Sequence, residues 1–162
     1  MEYVLGVKEI KDEIPIGKPE DVIGLLARHR DLEREVMLVI HLDSNLDARG
    51  IQIAAIGSKV NCCFDMPDIF REVIVRRTDA FILVHNHPNE KKVCPTKDDI
   101  LCTKEILDVS KAARIPLLDH LIIGKNDWIS FSREGVIFPK NAIYVLQMGR
   151  LTMKRKGKFI LR

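Results

Sequence analysis

Apolar positions along this chain recur with two periods, and the switch between them marks out the elements. In residues 19–29, Val22, Ile23, Leu25 and Leu26 fall on roughly one side and Pro19 suits a first turn, so a short amphipathic helix is expected, with His29 on its surface. Residues 35–43, EVMLVIHLD, are apolar and partly β-branched and end at the turn-forming Ser44-Asn45, which predicts a buried strand. Residues 51–57, IQIAAIG, read as its antiparallel partner. Ile69, Phe70, Val73 and Ile74 then return at three- and four-residue intervals, placing a helix over 67–77 against a sheet. The unbroken run AFILV at 80–84 predicts a central strand leading directly into His85.

Residues 96–113 contain neither Gly nor Pro and space Ile100, Thr103, Leu107 and Ser110 helically, so a longer helix is expected there, closed by Pro116. Residues 117–123 and 128–131 flank Gly124-Lys125-Asn126-Asp127, the pattern of a hairpin. The series predicts an α/β (α+β layered) fold, a mixed sheet flanked by helices. No internal repeat or linker breaks it. The expected division is an N-terminal extension with the short helix over 1–30, a folded domain over 31–138 and a basic tail over 139–162.

Composition narrows the class. At 162 residues, with 46% hydrophobic and 30% charged positions, the chain suits one globular domain able to bury about 70% of its unfolded surface. No apolar run reaches the roughly 18 residues of a membrane span, and MEYVLGVKEIKDEIP mixes charges where a secretory signal needs an apolar core. A cytoplasmic protein without membrane contact is expected. Its cysteines, Cys62, Cys63, Cys94 and Cys102, form no CxxC pair. They are expected reduced, as small buried or partly buried residues.

Charge is uneven. The net value is +3, yet no acid follows Glu134, while Lys140, Arg150, Lys154, Arg155, Lys156, Lys158 and Arg162 do. Residues 1–134 therefore carry 19 bases against 23 acids, a net of −4. Such a tail is either a solvated end or a contact for nucleic acid or another acidic partner.

The chemistry concentrates in FILVHNHPNEKKVCPTKDD, residues 81–99. Two residues apart in extended chain, His85 and His87 face the same way and can reach one ion, while Asn86 points away. Pro88 removes a donor and stops the strand, leaving both histidines at its rim. Asp99 lies near the next helix start, where a loop can return its carboxylate to the same point. Three protein ligands suit a catalytic zinc site, which keeps a position for water, better than a structural one closed by four. Plainer readings stand beside this one. Such histidines occur at strand ends without metal, and Thr96-Lys97-Asp98-Asp99 also reads as a capping box with Asp in place of Glu.

HNHP, a loop and then PT-x-x-D together closely resemble the JAMM (JAB1/MPN/Mov34) metalloprotease motif H-x-H-P, loop, S-x-x-D. With AFILV ahead of it, and TKEILDVSKAARIPLLDHLIIG and WISFSREG behind, the chain resembles the bacterial RadC-like branch from about Asp31 to Gly135. The resemblance implies a cytidine-deaminase-like layered sheet, a zinc ion on His85, His87 and Asp99, and a Thr96 hydroxyl stabilising an oxyanion. It further implies an upstream glutamate as acid/base, best matched by Glu35 and otherwise by Glu33. The substrate class it implies is a peptide or isopeptide.

The chain also departs from the family pattern. Thr96 replaces the usual serine and adds a methyl. The common Ser-Gly start of the loop is replaced by 89–94, NEKKVC, one residue longer, which makes Cys94 an outside candidate for an extra ligand. Residues 1–34 are too few for the helix-hairpin-helix region often found ahead of RadC-like domains, so a nucleic-acid tether of that kind is not expected. Asp119-His120 reads as a pair behind the ligands or within the packing. His41 reads as a sheet residue, and Ser130 and Ser132 as either site-lining or merely alternating. Rival functions are a DNA-repair-associated or nucleic-acid-binding protein, a non-catalytic binding module, and a zinc deaminase, whose H-x-E and P-C-x-x-C signature is absent.

Overall fold

A computed structural model describes residues 6–27, 33–57, 65–90 and 92–136, and describes 142–147 and 150–155 as backbone. Six strands form one sheet: β1 (Gly6–Glu9), β2 (Val36–Leu42), β3 (Ala48–Ile56), β4 (Ala80–Asn86), β5 (Leu117–Ile123) and β6 (Trp128–Ser130), in the order β1-β3-β2-β4-β5-β6. Every pairing is antiparallel except β4 with β5. That parallel step needs a crossover, supplied by α3 (Lys97–Ala113). The mixed sheet with flanking helices is the layered α/β arrangement expected from the alternating periods.

Alternation along the central strands divides the core in two. Leu38, Ile40, Ile82 and Val84 face α1 (Pro19–Leu25) and pack with Ile16, Val22, Ile23 and Leu26. Met37, Val39, Phe81 and Leu83 face the other side, where α2 (Met66–Val75) contributes Ile69, Phe70 and Val73 and α3 contributes Ile106 and Leu107. Because β2, β4 and β5 are buried along their whole length, they read as near-continuous apolar runs. A register shift between Phe81 and Ile82 inserts one residue into β5 and sets His120 opposite Leu83, on the α3 side.

Local differences from expectation have identifiable causes. The strand expected over 128–131 ends at Ser130, whose hydroxyl accepts the Arg133 N–H at 3.1 Å and starts the short helix α4 (Phe131–Glu134). Strand β1 was not legible: two of its four residues are charged and none is buried. Within 139–162, the segments β7 (Ala142–Gln147) and β8 (Arg150–Arg155) pair as an antiparallel hairpin. Cys102 is half-buried as expected, whereas Cys94 is exposed on the polar loop before α3 and corrects the expectation of burial. The expectations for Cys62, Cys63 and His29 lie outside the described residues. Among the described residues no helix is long and apolar enough to cross a membrane.

Candidate metal centre

The end of β4 delivers two candidate ligands, His85 on the strand and His87 just past it. His85 and His87 are both buried on the α3 side, with ring centroids 4.8 Å apart and Nε2 atoms 2.9 Å apart. The His87 N–H donates to Ile123 O at 2.8 Å, extending the ladder by one step before Pro88 ends it.

Helix α3 delivers the third. Thr96 is its N-cap: the Thr96 hydroxyl accepts the Asp99 N–H at 3.1 Å, and Asp99 Oδ2 accepts the Thr96 N–H at 2.7 Å. The same carboxylate places Oδ1 3.1 Å from His85 Nε2 and Oδ2 3.8 Å from His87 Nε2. The capping-box reading and the ligand reading are thus both satisfied, because the box is what aims the carboxylate at the imidazoles. Burial on its own raises the Asp99 carboxyl, but His85 and the two Thr96 groups outweigh it and hold the acid well below the usual carboxylate range.

The fit to a metal ion follows from these spacings. Donor atoms about 2.0–2.2 Å from one ion at tetrahedral angles lie roughly 3.3 Å from each other. The separations here, 2.9, 3.1 and 3.8 Å, straddle that value. One donor atom from each of His85, His87 and Asp99 lies within 4.8 Å of the others. Two imidazoles and one carboxylate so placed can therefore hold a metal ion.

Polar groups stand behind each ligand. The Nδ1 of His85 is 2.8 Å from His120 Nε2, and His120 Nδ1 is 2.6 Å from the Thr103 hydroxyl. Burial, the largest influence, pushes His120 well below the usual imidazole value. The Nδ1 of His87 is 3.1 Å from Glu90 Oε2, misaligned for a hydrogen bond, so the carboxylate stands beside the ring without bonding it. Asp119 points elsewhere: it accepts from the Ser130 hydroxyl at 2.5 Å and from the backbone N–H groups of Ser132 and His120 at 2.8 Å. Burial pushes its carboxyl up to about 6 against the pull of these donors. Ser130 and Ser132 thus brace Asp119.

Glu35 immediately precedes β2 and is half-buried, while Glu33 is exposed. Met37 pairs with His85 at the end of the antiparallel β2–β4 register, and Glu35 lies two residues before Met37 in the chain. Cys94 does not belong to the ligand cluster. His41, at the far end of β2, is buried against the Thr78 hydroxyl at 2.8 Å. Sequence reading missed Glu90 and gave Thr103 only as one of the helically spaced positions of 96–113. Their signals were spacings alone, three residues after His87 and four after Asp99.

Residues 16–136 match the RadC-like JAB domain family. Proteins named UPF0758 are similar. The one from Desulforamulus reducens is 34% identical over 134 residues, covering 82% of this chain and 59% of the relative. That of Chloroflexus aggregans is 30% identical over 135 residues, covering 83% and 58%, and that of Methanococcoides burtonii is 31% identical over 123 residues, covering 75% and 53%. The chain spans between about half and three-fifths of the length of these relatives.

Proposed function

The chain belongs to the RadC-like JAB domain family, and from that premise we propose that it is a zinc-dependent hydrolase cleaving amide bonds of the peptide or isopeptide type. The observation that carries this reading is the convergence of His85, His87 and Asp99 from a strand end and a helix start, with no fourth protein ligand among the described residues. Nitrogen and oxygen donors in this number favour zinc at an open site. Bound there, zinc would supply Lewis acidity and bring the pKa of a water down toward about 7.

The protein's own groups divide the remaining work. Glu35 takes the proton from the attacking water as its oxygen bonds to the carbonyl carbon, then passes that proton to the departing nitrogen as the C–N bond breaks. Its half-buried position immediately before β2, where Glu33 is exposed, supports this assignment over Glu33. Thr96 already accepts the Asp99 N–H with a lone pair. Its hydroxyl proton is the one offered to the carbonyl oxygen as negative charge develops there.

Metal analysis of the wild type beside His87→Ala tests the centre. One zinc per chain, lost on that substitution, is expected, and equal metal in both proteins sinks the reading. Cleavage of a peptide or isopeptide bond by the wild type, with at least a hundredfold loss in Glu35→Gln, separates an enzyme from a metal-holding binding module.

A nucleic-acid role has its own observation in its favour, the seven bases and no acids after Glu134. Three of them, Arg150, Lys154 and Arg155, lie on β8. Retention on DNA that falls steeply with salt, and vanishes on deleting residues 154–162, would support that role.

A further inference from the structure

A buried chain of polar side chains starts at His85 and ends on the backbone of another ligand. His85 Nδ1 meets His120 Nε2 at 2.8 Å, His120 Nδ1 meets the Thr103 hydroxyl at 2.6 Å, and that hydroxyl donates to the carbonyl oxygen of Asp99 at 2.6 Å. His120 and Thr103 are fully buried, and Phe131 packs 4.8 Å from the His120 ring. The chain crosses from β4 through β5 to α3, and so joins ligands from two elements through a third.

The order of protons along it is determined from its far end. A backbone carbonyl only accepts, so the single proton of the Thr103 hydroxyl is committed to Asp99 O. Toward His120 the hydroxyl can then only accept, and His120 Nδ1 must carry a hydrogen. Two ring nitrogens 2.8 Å apart share one hydrogen, and with the hydrogen of His120 already on Nδ1 it is His85 Nδ1 that supplies it. His120 Nε2 therefore accepts from His85 Nδ1–H, and the lone pair that His85 offers is on Nε2, the atom that faces His87 and Asp99.

We propose that Thr103 and His120 are positioning residues that set the tautomer of His85, presenting its Nε2 lone pair to the cation. The proposal rests on the metal reading above and adds to it the source of the ligand's orientation. A metal-binding imidazole is commonly held through its other nitrogen by a carboxylate or carbonyl. Here a second imidazole takes that place, and it can accept only because a threonine one helical turn past Asp99 fixes which of its nitrogens is bare. The register shift in β5 is what brings His120 to this side of the sheet.

Long-range ¹⁵N–¹H correlation spectra of the histidine rings in the metal-free protein test the first half. The relay requires His120 in the Nδ1–H form, opposite to the tautomer free histidine favours, and finding His120 as Nε2–H overturns it. Zinc affinity by competition with a chelator tests the second half. Thr103→Val keeps the shape and removes the hydroxyl, and is expected to weaken zinc about 10- to 100-fold. Thr103→Ser restores the hydroxyl and is expected to bind within about threefold of wild type. Thr103→Val binding zinc as tightly as a zinc-competent wild type overturns the relay alone, whereas a wild type that takes up no zinc overturns the metal centre itself. Melting curves of the metal-free variants are expected to show them folded, so lost affinity cannot come from lost structure.

Discussion

The side-chain oxygen of Asn86 accepts a hydrogen bond from the backbone N–H of Val36 at 2.8 Å, and its amide nitrogen donates to the carbonyl oxygen of Arg34 at 2.9 Å. Glu35 is the residue between these anchors. Asn86 therefore has a different task from its neighbours: His85 and His87 project to the ligand side, while Asn86 uses the opposite side of β4 to clamp the chain around Glu35.

Replacing Asn86 by alanine should separate metal binding from proton transfer. The Val36 N–H loses a buried partner, which costs about 1–3 kcal/mol of stability, measurable by urea unfolding. Zinc content is expected to stay at the wild-type level, because what the Asn86 side chain holds at Val36 and Arg34 is the backbone on either side of Glu35. Peptide cleavage is expected to fall at least tenfold as the Glu35 backbone loses its clamp. Unchanged cleavage would show that Glu35 is held by other contacts or is not the proton carrier.

Glu90 stands on the loop that departs from the family pattern, and its carboxylate lies 3.1 Å from His87 Nδ1. A negative charge behind a ligating imidazole makes it a better donor, an effect of about 10- to 100-fold on metal affinity when such groups are buried and well aligned. Glu90 is 42% exposed and its contact is misaligned, so Glu90→Gln is expected to weaken zinc by no more than about tenfold. Chelator competition reads this directly, and high salt should shrink the difference.

Much of this site was legible because its central part is local. A strand places His85 and His87 by period, Pro88 ends it, and Thr96 and Asp99 start a helix by a recognised spacing, so four positions follow from neighbours in the chain. His120 is different. It reaches His85 only through a parallel pairing 35 residues away in sequence, shifted by one residue near Phe81, and no local pattern encodes that shift. Thr103 carries the same helical spacing as the apolar residues beside it, so its hydroxyl was indistinguishable from packing. β1, without a buried residue, lacked the apolar signal that identified β2 and β4.

His41 should give the fold a recognisable acid sensitivity. Burial, then the charge of Arg76, lowers its pKa from 6.5 to about 4, against smaller opposing effects of Gln52, Glu72 and Glu9. Between these values the unfolded chain binds a proton that the folded protein refuses, so stability falls as pH drops from 6.5 to 4, by about 3 kcal/mol at most. Asp119, raised to about 6, has the opposite sign: its contribution is present below 3.8 and lost as pH rises through 6. Comparing urea unfolding of wild type and His41→Gln at pH 7.5 and 4.5 isolates the histidine. The wild type is expected to lose about 2–3 kcal/mol more than the variant over that interval, and parallel losses would contradict the assignment.

Gly124 follows β5 where the loop after Pro88 crosses it. A Cβ there would stand 2.5 Å from Val93 Cγ2 and 2.8 Å from the backbone oxygen of Glu90. The valine can turn only against the core in which it is buried, and the carbonyl oxygen is fixed by accepting the Lys125 N–H at 3.1 Å. Space is therefore the constraint, and Gly124→Ala must push the loop off the sheet. That displacement should cost about 1–3 kcal/mol. It should also carry Glu90 away from His87 while leaving His85 and Asp99, anchored on β4 and α3, in place. The expected result is a lower melting temperature together with a zinc affinity reduced to that of Glu90→Gln and no further. In the double variant Gly124→Ala/Glu90→Gln the two losses of affinity should not add, because both remove the same charge from the same ring. Full additivity would mean that the loop supports the centre by a route other than Glu90.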